Sequence, residues 1–283
     1  MMNVEKILEN LDEFPTLPTI YSNLLECISN PRSTVNDVAQ IISKDQSAAL
    51  KVLKSVNSPL YGVSKKVETI KDAVFHLGFN EIKNLVVALS VVSTFKNLKP
   101  TKNFSLLEFW KHSVAAGVTS KLLGVASGEK NTENYFLAGV IHDIGKLFFV
   151  QFFNEEYDNL LDHANQNNIE ITDAEMNYFG INHIKIGEKI AIKWQLPDIF
   201  RLVIKHYHDL EYSNGNSMII ASVSLAEYIA KLLGLGLRNT RRTILRPNPK
   251  IWEVLKLNKG QLLELYPKII ENYNQSIQIL IVN

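Results

Sequence analysis

The chain has 283 residues, of which 46% are hydrophobic and 21% are charged, and its formal net charge is +1 at pH 7. This composition is that of a soluble globular protein with one or two real hydrophobic cores. The near-zero net charge provides no overall field for nucleic acid or for an anionic membrane surface. The single cysteine, Cys27, excludes an intramolecular disulfide framework and a metal site built from thiolates.

We expect the protein to be cytoplasmic. Residues 1–15 are acidic and amphipathic, and they lack the basic region followed by an apolar core that marks a signal peptide. No apolar stretch approaches the roughly 20 residues that are needed to span a bilayer. We therefore expect no association with a membrane.

Short helices fill the predicted first half of the chain. Glycine and proline are sparse and apolar side chains recur at helical spacing, so we predict an all-α fold. Thr34 and Asp37 have the spacing of a capping box, and Asp45 can cap the helix that follows. Thr69 is expected to start a further helix that ends at Gly78, because glycine is favoured just after a helix.

The first half contains no cluster of side chains suited to chemistry. Its one histidine, His76, lies among apolar residues, and we expect it to be packed in the core. The polar stretch Asn97–Asn103, which includes Pro100, then breaks the helical pattern. We therefore divide the chain into an N-terminal helical lobe, residues 1–98, and a second helical lobe, residues 104–283.

The second half is organised around one apolar stretch, Tyr135–Val150, which we predict to be a single helix. His142, Asp143 and Lys146 interrupt it, and burying such side chains is costly unless each finds a partner. Neighbouring side chains on a helix point about 100° apart, so the imidazole and the carboxylate can reach one ion. Gly145 permits close approach of backbone or ligand, and Lys146 can meet an anion such as phosphate. The alternative is a buried helix whose polar residues pair with one another.

Further candidate ligands lie on other predicted helices. Imidazole and carboxylate groups without a thiolate suit iron, manganese, zinc, nickel or cobalt, and we predict a site for one or two divalent ions. The candidate metal-binding residues, all at inward-facing helical positions, are His112, His142, Asp143, His183, His206 and Glu227. Thr172 and Glu175 have the spacing of another capping box.

A basic segment, Arg238–Arg246, contains four arginines. A solvated loop is one interpretation of this segment, and a phosphate-binding patch is the other. We do not expect nucleic-acid binding, because no aromatic platform accompanies the basic residues.

Several stretches of the sequence match one known family, block by block. They are FPTLPTI (Phe14–Ile20), KDQSAALKVLKSVNSPLYG (Lys44–Gly62), IKDAVFHLGFNEIKNL (Ile70–Leu85), FWKHS (Phe109–Ser113), GVIHDIGKL (Gly139–Leu147) and LAEYIA (Leu225–Ala230). With the order of the candidate histidines, they resemble the HDOD (HD-related output domain) branch of the HD superfamily of metal-dependent phosphohydrolases. The resemblance implies an N-terminal helical lobe and a C-terminal lobe built like an HD domain.

The resemblance also implies roles for individual residues. It places the family's metal-binding histidines at His112, His142, His183 and His206. It makes Asp143 a carboxylate that is able to bridge two ions.

Two departures from the catalytic relatives accompany this resemblance. Glu227 stands near the position where those relatives have an aspartate, and their Gly-Tyr-Pro segment is absent after His208. Most HDOD proteins are regarded as signalling modules without catalysis.

We therefore expect a non-catalytic signalling output module that binds a partner protein or a phosphate-containing ligand. The N-terminal lobe is the expected partner surface and the second lobe its regulator. The alternative is a metal-dependent phosphohydrolase acting on a nucleotide or another phosphoester, with Lys146 as the phosphate contact.

Overall fold

The structure, a computed structural model, describes residues 4–210, 217–236 and 247–282. All regular secondary structure in these ranges is helical, which confirms the predicted all-α fold. The basic segment Arg238–Arg246 lies outside the described residues.

Five helices and a short 3-10 turn, Pro59–Tyr61, precede residue 97. The helices are α1 (Val4–Glu9), α2 (Thr19–Ser29), α3 (Val35–Ser43), α4 (Gln46–Val56) and α5 (Ile70–Thr94). The helices described after residue 103 are α6 (Leu106–Ala126), α7 (Tyr135–Ile141), α8 (Gly145–Phe152), α9 (Asn154–Asn167), α10 (Ile171–Phe179), α11 (His183–Lys193), α12 (Asp198–His206), α13 (Ser217–Leu233), α14 (Lys250–Leu255) and α15 (Lys259–Ile277). A π-helical segment, Gln278–Val282, follows α15.

The helix starts in the first half follow the predicted capping pattern. The Thr34 hydroxyl accepts a hydrogen bond from the Asp37 N–H, and the Asp37 carboxylate accepts one from the Thr34 N–H, which completes the capping box of α3. Asp45 and Thr69 also cap α4 and α5, and each accepts a hydrogen bond from the backbone N–H three residues later. Each such cap contributes about 1 kcal/mol to stability. Gly78 has a φ of 80° and breaks α5 into two helical parts at the predicted place.

His76 lies on the surface, so the expectation that it is packed in the core is wrong. The first part of α5 turns Ala73 and Val74 inward, which leaves the next two side chains facing outward. Phe75 is 77% exposed, and the ring of His76 lies edge-on to it, with 5.8 Å between the ring centroids.

One continuous hydrophobic core joins the two halves of the chain. Phe14, from the opening segment, packs between Phe95 of the first half and Phe148 and Trp194 of the second, with ring centroids 5.2–6.0 Å away. The Trp194 indole N–H also donates to the Pro15 carbonyl at 2.9 Å. The opening segment is therefore bound to the second half, and the division into residues 1–98 and 104–283 stays a prediction.

The polar stretch between the halves is fixed to α9. The Asp158 carboxylate accepts hydrogen bonds from the Thr101 hydroxyl and from the Asn103 N–H. The Asn154 side-chain amide donates to the Lys99 carbonyl at 3.2 Å. These bonds hold the predicted boundary region against the second half.

A buried ion pair also crosses between the halves. The Lys121 ammonium of α6 lies 2.7 Å from the Glu81 carboxylate of α5, and both side chains are at most 10% exposed. The Tyr61 ring covers the ammonium, with 4.4 Å from nitrogen to ring centroid. Burial raises the pKa of Glu81 and lowers the pKa of Lys121. Removing each charge from water therefore costs free energy, and the attraction between the two charges offsets that cost.

Replacing Lys121 with methionine is expected to lower the free energy of unfolding by about 2–3 kcal/mol. The change leaves the Glu81 carboxylate buried without its counter-ion, although its raised pKa eases protonation. The double variant Glu81→Leu/Lys121→Met removes both charges and is expected to recover most of the loss. Urea unfolding of both variants tests this, and a single variant as stable as the wild type would refute it.

One stretch among the described residues, Tyr135–Phe152, is long and apolar enough to cross a membrane by length and composition alone. Its 18 residues come closer to the length of a membrane-spanning helix than we expected from the sequence. However, 83% of it is buried inside the protein, and a turn breaks it into α7 and α8. Its apolar character is therefore that of two core helices.

Candidate metal centre

The His-Asp pair lies in a turn between two helices, and the prediction of one helix over Tyr135–Val150 is wrong. α7 ends at Ile141 and α8 begins at Gly145. Across the gap the Ile144 N–H donates to the Ile141 carbonyl, and the Lys146 N–H donates to the Asp143 carbonyl, each at 3.0 Å. These three-residue bonds replace the four-residue bonds of an α-helix and tighten the chain locally.

Gly145 allows two helices to come into contact beside this turn. A Cβ atom added at Gly145 would lie only 1.9 Å from the His183 carbonyl oxygen and 2.8 Å from the Gly187 nitrogen. The backbones of α8 and α11 therefore touch at a point where no side chain fits. This contact brings His183 to the His-Asp turn, as the expected close approach at Gly145 requires.

Four buried side chains form the metal-binding candidate cluster: His112, His142, Asp143 and Glu227. One ligand atom from each lies within 4.8 Å of those of the other three. α6 supplies His112, the turn supplies His142 and Asp143, and α13 supplies Glu227. Their exposed fractions are 0%, 1%, 0% and 6%.

Glu227 Oε2 is the centre of this cluster. It contacts His112 Nε2 directly and lies 3.1 Å from His142 Nε2. Asp143 Oδ2 lies 3.6 Å from the same His142 nitrogen. The two imidazoles and the two carboxylates therefore face one small volume.

Both ring nitrogens of His142 face hydrogen-bond acceptors. Nδ1 lies 2.7 Å from the Gly139 carbonyl oxygen and Nε2 lies 3.1 Å from the Glu227 carboxylate, so these contacts favour the doubly protonated ring. Burial by itself lowers the pKa of His142, but the carboxylates of Asp143 and Glu227 outweigh it, and the pKa is raised. Binding of an ion at Nε2 would therefore release a proton.

His183 joins the cluster through Asp143. Its Nε2 lies 3.3 Å from Asp143 Oδ1, and its Nδ1 donates to Glu175 at 2.6 Å. The Tyr207 hydroxyl donates to the same Asp143 oxygen at 2.7 Å and lies 3.3 Å from His183 Nε2. One oxygen of Asp143 is thus shared by a histidine and a tyrosine.

Glu175 does not form a capping box with Thr172. Glu170 occupies the N-cap position of α10, without a side-chain hydrogen bond to the helix. Glu175 is fully buried and accepts hydrogen bonds from the His183 N–H and from the Tyr157 hydroxyl, at 2.7 and 2.8 Å. It therefore fixes the ring orientation of His183, as carboxylates beside metal-site histidines do.

The structure places His206 outside the cluster. It is the last residue of α12, its side chain is 15% exposed, and its Nδ1 lies 3.3 Å from Asp209 Oδ1. The next residue, Tyr207, takes the inward-facing position, with its ring edge-on to His142. A step of one residue rotates a helical side chain by about 100°, so only one of the two can face the cluster.

Two lysines neutralise the two carboxylates. Lys146 contacts Asp143 Oδ2, and the Lys231 ammonium lies 2.7 Å from Glu227 Oε1. Lys146 is thus engaged within the protein, although the sequence suggested that it contacts phosphate. Sequence reasoning missed Lys231, whose signal was its position four residues after Glu227 on one helix.

The four cluster residues fit a single divalent ion. Two imidazoles and two carboxylates suit the borderline metals, from manganese to zinc. With metal–ligand bonds of about 2.0–2.2 Å, donors on opposite sides of an ion lie about 4 Å apart. Donor atoms within 4.8 Å of one another are therefore close to this arrangement.

The fold and the cluster agree with the resemblance found in the sequence. The chain is all-helical in its described residues, and its His-Asp turn meets a histidine and an acid from other helices. The HDOD domain model matches residues 14–210. The chain belongs to the HDOD family, which confirms the resemblance.

Solved structures share this fold over nearly the whole chain. An HDOD domain protein of unknown function from Geobacter sulfurreducens matches with a TM-score of 0.79 and 25% identity, covering 99% of this chain and 100% of its own. A Shewanella amazonensis SB2B protein, provisionally named a phosphohydrolase, has a TM-score of 0.75 and 24% identity, covering 97% of each chain. A Marinobacter aquaeolei VT8 protein, provisionally named a signal transduction protein, has a TM-score of 0.73 and 19% identity, covering 99% of this chain and 61% of its own. The last two likenesses show the fold alone.

Curated relatives are longer than this chain. An uncharacterised protein of Treponema pallidum (strain Nichols) is 24% identical over 231 residues, which are 80% of this chain and 44% of that protein. YuxH, an uncharacterised protein of Bacillus subtilis (strain 168), is 32% identical over 127 residues, which are 45% of this chain and 30% of YuxH. The chain thus spans less than half the length of the curated relatives that it matches.

Proposed function

We propose that this chain is a regulatory output module of signal transduction and that it does not hydrolyse phosphoesters. One observation carries the proposal: the four residues of the candidate metal centre are buried and covered by other groups of the protein. Lys146 and Tyr207 take the two oxygens of Asp143. Lys231 and the two cluster histidines take those of Glu227.

A hydrolytic metal centre needs an open position for water and a path for the substrate. No residue of this cluster is more than 6% exposed, and such burial opposes both the entry of water and the access of a substrate. The Tyr207 ring, which is 1% exposed, adds a further cover beside His142. These features support a structural or regulatory role for the cluster.

We assign one divalent ion, drawn from iron, manganese, zinc, nickel or cobalt, to His112, His142, Asp143 and Glu227. When bound, the ion would supply a strong electrostatic link among α6, the α7–α8 turn and α13. Such an ion can influence a distant surface only if it binds two conformations of the protein unequally. Its role in the proposal is therefore to select a conformation.

The N-terminal lobe is the proposed partner surface. It carries two strongly exposed apolar side chains, Leu50 at 60% and Phe75 at 77%. Exposed apolar and aromatic side chains of this kind anchor protein interfaces. The provisional name of the Marinobacter protein, with which this chain shares its fold, agrees with a signalling role.

Capture of partner proteins from a cell extract tests this assignment. The full chain is required, because Phe14 and its neighbours bind the first half to the second. The variant Leu50→Ser/Phe75→Ser is expected to lose the captured proteins. The matched control Ile192→Ser/Leu263→Ser changes two similarly exposed residues of the second half and is expected to keep them. Loss in the control alone would contradict the assignment.

The donor set of the cluster favours a second candidate function, that of a metal-dependent phosphohydrolase. Two imidazoles, two carboxylates and the nearby Lys146 are the groups that such chemistry uses. The provisional name of the Shewanella protein belongs to this class. This function predicts hydrolysis of a nucleotide or another phosphoester that depends on a metal ion and on Asp143.

A further inference from the structure

We propose that the Lys146 ammonium and a divalent ion compete for the same oxygen of Asp143, so that binding of the ion releases Lys146. The inference rests on the metal centre of the proposed function. It adds that the protein carries its own cation, which occupies the centre until an ion displaces it.

The hydrogen bonds of Asp143 leave an ion only one oxygen to use. Oδ1 accepts from the Tyr207 hydroxyl at 2.7 Å and lies 3.3 Å from His183 Nε2. Oδ2 lies on the side of His142, 3.6 Å from its Nε2, and is the oxygen that Lys146 contacts. An ion held between His142 and Asp143 must therefore bind the oxygen that Lys146 occupies.

An ammonium and a divalent ion cannot share this oxygen. Both charges would be buried a few ångströms apart, where their repulsion is much stronger than in water. The Lys146 side chain is 13% exposed and that of Asp143 is 0% exposed, so the lysine is the partner nearer the surface and the one that can move toward solvent. Release of the lysine is therefore the expected response to an ion.

Lys231 provides an internal contrast. It contacts Glu227 Oε1, whereas the two cluster histidines face Glu227 Oε2. A lysine and an ion can thus bind different oxygens of this carboxylate. We expect Lys231 to remain in place when the ion binds.

Release changes what Lys146 can do. In this structure Asp143 holds the charge of Lys146. Once an ion takes Asp143, the ammonium is available at the edge of the centre for an anion such as a phosphate group. The phosphate contact suggested by the sequence would then exist only in the ion-bound protein.

Titration of the full chain with Mn²⁺, followed by calorimetry, measures the competition. Lys146→Met is expected to raise the affinity by about 10-fold to 100-fold, the range that corresponds to loss of one charged hydrogen bond. Lys231→Met also removes one positive charge, but it frees no oxygen that faces a histidine. Its increase in Mn²⁺ affinity should therefore be several times smaller than that of Lys146→Met. Equal gains, or no gain for Lys146→Met, would overturn the proposal. Thermal unfolding of each variant establishes that it is folded.

Amine-reactive labelling of the wild type measures the release itself. Lys146 is expected to be protected without Mn²⁺ and to be labelled in its presence. Lys111, which pairs with Glu108 at 2.8 Å on α6, is the control and should be labelled equally in both conditions. Unchanged labelling of Lys146 in Mn²⁺-saturated protein would overturn the proposal. Phosphoester hydrolysis would instead overturn the proposed function and leave this exchange intact.

Discussion

Replacing Gly145 with alanine is expected to destabilise the protein by about 4 kcal/mol or more and to disrupt the candidate metal centre. The added Cβ would lie 1.9 Å from the His183 carbonyl oxygen. Overpacking usually costs about 1–3 kcal/mol because flexible side chains yield to the new atom. Here the nearest atoms belong to the backbone of α11, so the helices themselves must move apart. Losses of stability this large are exceptional for a single substitution.

Two other glycines provide controls for this prediction. At Gly187, in the same helix contact, the nearest atom to an added Cβ is a side-chain carbon of Ile204 at 3.0 Å, so alanine should cost less. At Gly260, in the first turn of α15, the nearest atom is an Asn258 side-chain oxygen at 3.2 Å, and alanine should have little effect. Urea unfolding gives the three free energies. A Gly145→Ala variant as stable as Gly260→Ala would contradict the described contact of α8 and α11.

Replacing Asp143 with alanine is expected to abolish metal content and to leave the helical signal largely intact. Asp143 supplies a cluster oxygen 3.6 Å from His142 Nε2 and is also the hydrogen-bond partner of Tyr207. Without it, an ion loses one of four donors and meets an uncompensated Lys146 ammonium. Elemental analysis of protein purified in the presence of Mn²⁺ measures the metal content, and far-ultraviolet circular dichroism measures the helical content.

The same analysis separates the candidate ligands from one another. His112→Ala should lose metal as Asp143→Ala does, because His112 contacts the central oxygen of the cluster. His206→Ala should keep it, because that side chain faces Asp209 at the end of α12. Asp198→Ala, which removes an 85% exposed carboxylate, is the control for loss of charge alone. Metal retained by Asp143→Ala would show that the ion binds elsewhere.

Much of the fold could be predicted from local patterns in the sequence. Thr34, Asp45 and Thr69 start helices because their side chains satisfy backbone N–H groups within three residues. Gly78 interrupts α5 with a φ of 80°, which glycine adopts readily and other residues do not. Such signals depend on nearby residues only, so a single sequence is enough to read them.

The errors in the predicted site arose where distant contacts decide the structure. The central helix breaks just before Gly145, where α11 approaches, and no pattern within residues 135–150 reveals that approach. Glu175 has the spacing of a capping residue, yet its carboxylate is buried against His183. Tyr207 faces the cluster in place of His206, because helix phase depends on how α12 packs.

The pairing of Lys146 with Asp143 was one of two interpretations that the sequence left open. A buried lysine, histidine and aspartate in an apolar stretch can pair with one another or bind an ion. The structure contains the internal pairing and also the four donors of an ion site. The exchange between them reconciles both interpretations in one centre.

Phosphoester turnover by the ion-loaded protein is the most direct test of the proposed non-catalytic role. The wild-type chain, saturated with Mn²⁺ and with its ion content measured in the same sample, is incubated with a phosphomonoester, a nucleotide and a cyclic dinucleotide. Asp143→Ala, prepared in parallel, gives the background rate. We predict that the two proteins release product at the same rate. Mn²⁺-dependent hydrolysis by the wild type that Asp143→Ala abolishes would contradict the account and establish the phosphohydrolase.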